Sequence, residues 1–314
     1  MYFYSSNYKS SIESILLIPI KYILPLKILN MNEITNVTIL GSGQMGAGIG
    51  LVCAIHDYNV VFYDVKEEFV NNGIERNKKW IKRQVEKNKL SKENAELITQ
   101  KMSGTISLEA AVSNSDLIIE AIIENLDIKK ELWAKVANFA PEHTIFGSNT
   151  SSLSISEMAK ASKRPSKFLG THFFNPPVIL KLIEFIQTTH TSEETMNIAI
   201  QFGQTLGMDT VKAKETPGFI VNRLLIPQLN EAYLLLENDI ATKEDIDTAM
   251  KIGLNHPMGP LTLSDFIGLD TILYIAEYLH KHLGPKYKPA NILYDLVNQG
   301  KMGRKSGEGF YIYN

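Results

Sequence analysis

The chain contains a single cysteine, Cys53, among 314 residues. One thiol excludes an internal disulfide and any cysteine-based metal cluster, and its ordinary fate is a buried free thiol. The seven histidines supply no metal set either. His280 and His282, two residues apart, face different sides of a helix. An excess of positive charge is also missing. The formal net charge is -2, so the surface as a whole gives nucleic acid nothing to bind. The apolar stretch at residues 15–20 is far shorter than the roughly 20 residues a membrane span requires. Pro19, Lys21, Pro25 and Lys27 interrupt its surroundings. A membrane partner is therefore not expected, and the expected location is cytoplasmic. The first thirty residues lack arginine, which argues against a transit peptide, and carry no clear small-residue cleavage site. Residues 1–30 are set apart as a non-native or disordered extension, with targeting as the weaker alternative.

What is present is an ordinary globular composition, 44% hydrophobic and 21% charged, with length enough for two domains. From Val37 onward, short apolar runs alternate with stretches of helical length. The runs fall at residues 37–40, 60–63, 117–123, 144–147, 168–173 and 182–186. Continuous apolar runs of this kind predict strands buried on both faces of a largely parallel sheet. After Pro217 the pattern is helical, at 219–237, 243–252, 261–280 and 291–299. Thr242 followed by Asp245 predicts a capping box for the second of these. The expected architecture is α/β: a Rossmann-type, doubly wound domain over 31–214, carrying a helical hairpin insertion, then a smaller all-helical domain over 215–314.

The first strand runs into Gly41-Ser42-Gly43-Gln44-Met45-Gly46, and a helix follows. Gly41 permits the tight turn, Gly43 the approach of backbone to a pyrophosphate, and Gly46 close packing of helix on strand. The helix N-terminus offers free N–H groups to the anion. The second strand ends in Asp64, 21 residues after Gly43, where an acid accepts from the adenosine ribose hydroxyls. An acid there repels a 2′-phosphate, so the predicted cofactor is NAD rather than NADP.

Later strands carry polar residues at their carboxyl ends, the edge where open α/β sheets place ligands. The run at 144–147 leads into Ser148-Asn149-Thr150-Ser151-Ser152, and the run at 168–171 into His172. Leu182-Ile183 precedes Glu184. Hydride transfer from a secondary alcohol needs a base for the hydroxyl proton, and His172 is the best candidate. Glu184, 12 residues on, can hold its imidazole across adjacent strands, and Ser151 can hydrogen-bond the substrate oxygen. Spacing alone leaves open a satisfied core histidine and an ordinary surface glutamate.

Five motifs then occur in one order: the glycine loop, Glu120-Ala121-Ile122-Ile123-Glu124-Asn125, Ser148-Asn149-Thr150-Ser151-Ser152-Leu153, His172-Phe173-Phe174-Asn175-Pro176, and Pro217-Gly218-Phe219-Ile220-Val221-Asn222-Arg223. With the ending Gly303-Arg304-Lys305-Ser306-Gly307-Glu308-Gly309-Phe310-Tyr311, they resemble 3-hydroxyacyl-CoA dehydrogenases. The short-chain bacterial 3-hydroxybutyryl-CoA dehydrogenases are the most similar, and the likeness covers about residues 34–313. It implies an NAD-dependent interconversion of (S)-3-hydroxyacyl-CoA and 3-ketoacyl-CoA, in fatty acid or butanoate metabolism. It implies His172 as general base, Glu184 as its paired acid, Ser151 on the substrate oxygen, and Asn222 completing the site. It also places Glu124, Lys129 and Asn149 near the nicotinamide half of the cofactor, and Gln44 and Met45 of the glycine loop count with the cofactor-binding residues. A solvated lysine is the competing reading of Lys129. A homodimer through the helical domain is implied as well. Related NAD-dependent dehydrogenases of sugar acids share the architecture, and a catalytically silent NAD- or CoA-binding protein is a second alternative.

Between Asp64 and Leu117 lies more chain than a simple crossover needs. Val70, Ile74, Ile81 and Val85 predict one helix, and Ala95, Leu97, Ile98 and Met102 a second. Residues 76–92 hold eight basic residues, among them Lys78, Lys79 and Lys82, against one acid, Glu86. Such an arm suits the phosphates of an acyl-CoA thioester substrate, and the resemblance favours that use over a merely solvated basic helix.

Overall fold

The computed structural model describes residues 34–313; the readings for residues 1–30 lie outside them. The chain runs β1 (Asn36–Leu40), α1 (Gln44–Ile55), β2 (Asn59–Tyr63), α2 (Glu67–Glu86), α3 (Lys92–Gln100), β3 (Met102–Thr105), α4 (Leu108–Val112) and β4 (Leu117–Glu120). It continues through α5 (Leu126–Phe139), β5 (Ile145–Ser148), α6 (Ile155–Ala161), β6 (Phe168–Phe173), β7 (Leu182–Gln187), α7 (Glu193–Thr205) and β8 (Asp209–Lys214). Five helices follow: α8 (Val221–Glu237), α9 (Lys243–Gly253), α10 (Pro260–Ile267), α11 (Leu269–Leu283) and α12 (Asn291–Asn298).

The strands form one sheet in the order β3-β2-β1-β4-β5-β6-β7-β8. Every neighbouring pair is parallel except β6 and β7. Alternate residues of the central strands feed different cores. Val37, Ile39, Leu117 and Ile119 join one cluster, with Phe62, Phe185 and Phe202. Leu40 and Ile118 join another, with Trp133, Phe146 and Phe168. Both faces of the sheet are thus covered, as the continuous apolar runs require. Cys53 is fully buried, and burial pushes its thiol well above the usual range. A third cluster, built on Tyr233, Leu261, Leu269, Ile272, Leu279 and Leu293, is the core of the helical half.

Several sequence expectations are corrected. Two strands were not expected. β3 carries only one buried residue, Met102, and so has no apolar run to announce it. Met102 itself belongs to that strand and not to the helix before it. β8, Asp-Thr-Val-Lys-Ala-Lys, is a partly exposed edge strand, where charge is ordinary. The run at 117–123 leaves the sheet at Glu120. The single helix expected over 261–280 is two helices, because Gly268 takes φ 105° between α10 and α11. Of the expected capping box the N-cap half is present: the Asp245 N–H donates to Thr242 Oγ1 (3.2 Å), while the Asp245 carboxylate accepts from that hydroxyl (2.7 Å) and not from the Thr242 backbone N–H.

The progression of strands reverses between β1 and β4, and a crevice opens at their carboxyl ends. Their opposite ends are tied by Asp116. Its Oδ2 accepts from the backbone N–H of Thr35 and Asn36, both at 2.8 Å, and its Oδ1 lies 3.0 Å from His143 Nε2. Partial burial opposes the charge, but the two N–H groups and His143 outweigh it and hold the carboxyl below the usual carboxylate range. A depressed pKa means stabilisation that is complete above the unfolded-state value and lost as pH falls through the folded-state value. Asp116→Asn is therefore expected to lower Tm by roughly 2–4 °C at pH 7. The gap to the parent should close as pH drops below the ordinary carboxylate range, measured by thermal or urea unfolding. A gap that stays constant with pH contradicts this account.

Candidate active site

The glycine loop closes between β1 and α1. Gly41 has φ 100°, and a Cβ there would sit 2.6 Å from the Ala121 carbonyl oxygen. A Cβ on Gly46 would fall 1.8 Å from the Gly41 carbonyl oxygen. Around Gly43, by contrast, there is open space. Gly41 fits the loop against the chain leaving β4, and Gly46 fits the helix to the loop; Gly43 leaves room for a ligand against bare backbone. Gly43 caps α1 without any side-chain hydrogen bond, and no acid stands in the first turn. The helix end therefore presents its free N–H groups and partial positive charge to an anion. Asp64 closes β2, with Oδ2 accepting from the Ser42 N–H and Oδ1 from the Val65 N–H, both at 2.8 Å. These features fit a dinucleotide. The Gln44 amide donates to Asn175 Oδ1 (3.0 Å), joining the loop to the segment after His172. Met45 packs against the sheet core.

His172 and Glu184 face each other across the antiparallel pair β6 and β7. His172 Nδ1 lies 2.6 Å from Glu184 Oε2. Glu184 is 0% exposed and His172 7%. A carboxylate so buried needs full compensation, and the other oxygen has it. Glu184 Oε1 accepts from the N–H groups of Ile220 (3.1 Å) and Val221 (2.9 Å) at the start of α8. That support from the helical half was not anticipated. It depends on the turn Pro217-Gly218-Phe219, where Gly218 has φ 76° and Phe219 φ 48°. The His172 ring lies between Phe174 and Phe219, with centroids 4.7 and 5.5 Å away. With Nδ1–H given to the carboxylate, Nε2 is the nitrogen left to act on a substrate. Asn222 follows in the first turn of α8, 9% exposed.

Ser151 sits on the loop after β5. Glu124 Oε1 accepts there from the Thr150 hydroxyl, from the Ser151 N–H (3.2 Å) and from the Ser152 hydroxyl (3.4 Å). Asn149 Oδ1 accepts from the Phe173 N–H (2.8 Å), linking this loop to the residue beside His172. Lys129 is not a solvated lysine. It is 1% exposed, with Nζ 2.5 Å from Glu120 Oε1 and 3.2 Å from Glu124 Oε2. Glu120, Ser148 and Thr150 were missed as site residues. One signal existed for Glu120: an acid inside a strand buried on both faces must have a partner.

The basic hairpin docks its first helix on the nucleotide loop. A Cβ on Gly73 would meet the Ser42 carbonyl oxygen at 2.7 Å, and the buried Asn77 amide donates to the Ala47 carbonyl (2.9 Å). Lys78, Lys79 and Lys82 are exposed on that helix. Lys78 pairs with Glu75 at 2.8 Å and Lys82 approaches Glu86 at 4.0 Å. The structure brings none of the three to the His172–Glu184 pair.

With this geometry in hand, comparison with known proteins is informative. Residues 36–216 match the sequence model for "3-hydroxyacyl-CoA dehydrogenase, NAD binding domain", and residues 218–313 that for "3-hydroxyacyl-CoA dehydrogenase, C-terminal domain". The mitochondrial hydroxyacyl-coenzyme A dehydrogenase of Homo sapiens is 44% identical over 287 residues, covering 89% of this chain and 91% of that one. Among solved structures, (S)-3-hydroxybutyryl-CoA dehydrogenase PaaH1 from Ralstonia eutropha superposes with a TM-score of 0.87 at 38% identity, covering 90% of this chain and 100% of the other. FadB2 of M. tuberculosis gives 0.86 at 37% identity, with coverage of 90% and 99%. Both halves of the molecule, the glycine loop and the buried His172–Glu184 pair thus lead to one conclusion: the chain belongs to the 3-hydroxyacyl-CoA dehydrogenase family of NAD-dependent oxidoreductases.

Proposed function

We propose that the chain interconverts (S)-3-hydroxybutyryl-CoA and acetoacetyl-CoA with His172 as its acid–base group. The observation that carries this is the His172–Glu184 pair at 2.6 Å, buried at the sheet edge and braced by two N–H groups of α8. Bound NAD supplies the hydride acceptor and NADH the donor. In the oxidative direction His172 Nε2 takes the 3-hydroxyl proton. Glu184 stabilises the imidazolium that forms, and the α8 N–H groups hold that carboxylate in place. In the reductive direction protonated His172 returns the proton to the emerging alkoxide. Ser151 and Asn222 are assigned to the substrate oxygen and its surroundings. Gly41, Gly43, Gly46 and Asp64 are assigned to the adenosine and pyrophosphate half of NAD. Glu124, Lys129 and Asn149 serve the nicotinamide half through the loop they hold. General acid–base catalysis contributes about 100- to 10,000-fold. His172→Gln is expected to lose that much kcat with acetoacetyl-CoA and NADH while binding NADH normally by fluorescence titration. Near-parental turnover would sink the assignment.

We assign the exposed basic face of α2 to the phosphates of coenzyme A. A patch of one sign concentrates an oppositely charged substrate and loses that effect in salt. Replacing Lys78, Lys79 and Lys82 together by Glu should raise the KM for acetoacetyl-CoA by about 10-fold or more at low ionic strength. The KM for NADH should stay nearly constant, and added salt should shrink the difference. Equal changes in both KM values would count against this surface.

The helical half is proposed to pair with a second copy. Along α8, Leu229 and Ala232 are buried in its own core, but Leu224 is 70% exposed. Ile240, Ile252 and Leu254 are also more than half exposed. Exposed apolar side chains on these helices are what an interface with a second copy would cover. Sedimentation should give a dimer for the parent chain and a shift toward monomer for Leu224→Asp; a monomeric parent would remove the reading.

A further inference from the structure

Glu120 is 0% exposed at the carboxyl end of β4, in register with Leu40 of β1 and Ser148 of β5. It therefore lies at the crevice where the strand order reverses. A buried ion pair such as Glu120–Lys129 adds little net stability, since apolar groups of similar size commonly replace one without loss. What this pair does add is position. Glu120 Oε2 accepts from the Ser148 hydroxyl (2.7 Å), while Oε1 accepts from Lys129 Nζ (2.5 Å) and from the Ile122 N–H (2.9 Å). Lys129 Nζ passes the connection to Glu124 Oε2 at 3.2 Å. Glu124 Oε1 then holds Thr150, Ser151 and Ser152. The loop is gripped at its first residue by one carboxylate and at its middle by the other. A single ammonium between them sets their spacing.

We infer that Glu120 is a positioning residue of the reaction, fixing the Ser148–Ser152 loop through Lys129 and Glu124 so that Ser151 meets the substrate oxygen. The inference rests on the proposed contact between Ser151 and substrate. Without the Glu120 charge, Lys129 has Glu124 as its one carboxylate partner among the described contacts. The ammonium is then drawn toward Glu124, and the carboxylate is drawn off the Ser151 N–H. A displacement of about 1 Å at a reacting group costs on the order of 100-fold in rate.

The test is a cycle of Glu120→Gln, Ser151→Ala and the double variant, with acetoacetyl-CoA and NADH, alongside Tm. Glu120→Gln is expected to reduce kcat about 30-fold while leaving the KM for NADH within about 3-fold. Adding it to Ser151→Ala should cost less than about 3-fold more, because the hydroxyl that Glu120 positions is already gone. Losses that multiply in the double variant, or a kcat for Glu120→Gln within about 3-fold of the parent, would overturn the inference. Parental turnover in Ser151→Ala would remove the substrate contact, and the inference with it. A slow Ser151→Ala with either overturning result for Glu120 removes the inference alone. Should Glu120→Gln fail to fold, Ser148→Ala keeps every charge and deletes one tether. It should lower kcat about 3- to 10-fold with unchanged Tm, and parental kcat there also overturns the inference.

Discussion

The buried carboxylate of Glu184 is the group on which the site depends. An unpaired charge at that depth costs several kcal/mol even after local relaxation, so each of its oxygens must be engaged. One is engaged by the imidazole of His172 and the other by the first N–H groups of α8. The positive end of a helix is a natural partner for an anion. The strand that carries Glu184 belongs to the sheet, and the helix that satisfies it belongs to the helical half. The buried His172–Glu184 pair is complete only when both halves are in place.

Elsewhere the protein solves one problem repeatedly, the placement of carboxylates away from bulk water. Glu120 and Glu124 share Lys129, and Asp64 takes two backbone N–H groups. In the helical half Asp247 caps α10 through the N–H groups of Leu261 and Thr262. Asp265 holds the last segment through Phe310 and Tyr311. In each case hydrogen bonds to the carboxyl group offset the water it loses. The apolar clusters supply most of the folding energy, and these carboxylates fix which loop lies against which.

Much of this was legible in the sequence because it obeys local rules. The glycine loop and Asp64 are tied to a short strand–turn–helix–strand unit whose spacing is geometric. Spacing leaves His172 and Glu184 open and the family resemblance singles them out; the antiparallel pairing of β6 and β7 places them in register. The illegible parts have non-local causes. β3 pairs at the sheet edge through Met-Ser-Gly-Thr, which has no apolar period. β8 is written in alternating exposed and half-buried residues, and a single positive-φ glycine divides α10 from α11. Glu120 was hidden for the opposite reason: it sits inside an apolar run, and its partner Lys129 stands among the charged residues Asp127, Lys130 and Glu131 of α5. The N–H groups that hold Glu184 carry no side-chain signature at all.

The docking of α2 on the nucleotide loop has one more consequence. Gly73 and Asn77 press the hairpin against Ser42 and Ala47, so the wall proposed to receive coenzyme A is the back of the wall that receives NAD. A change of affinity carried across this packing is reciprocal between the two ligands. By whatever factor the thioester changes the affinity for the dinucleotide, the dinucleotide changes the affinity for the thioester.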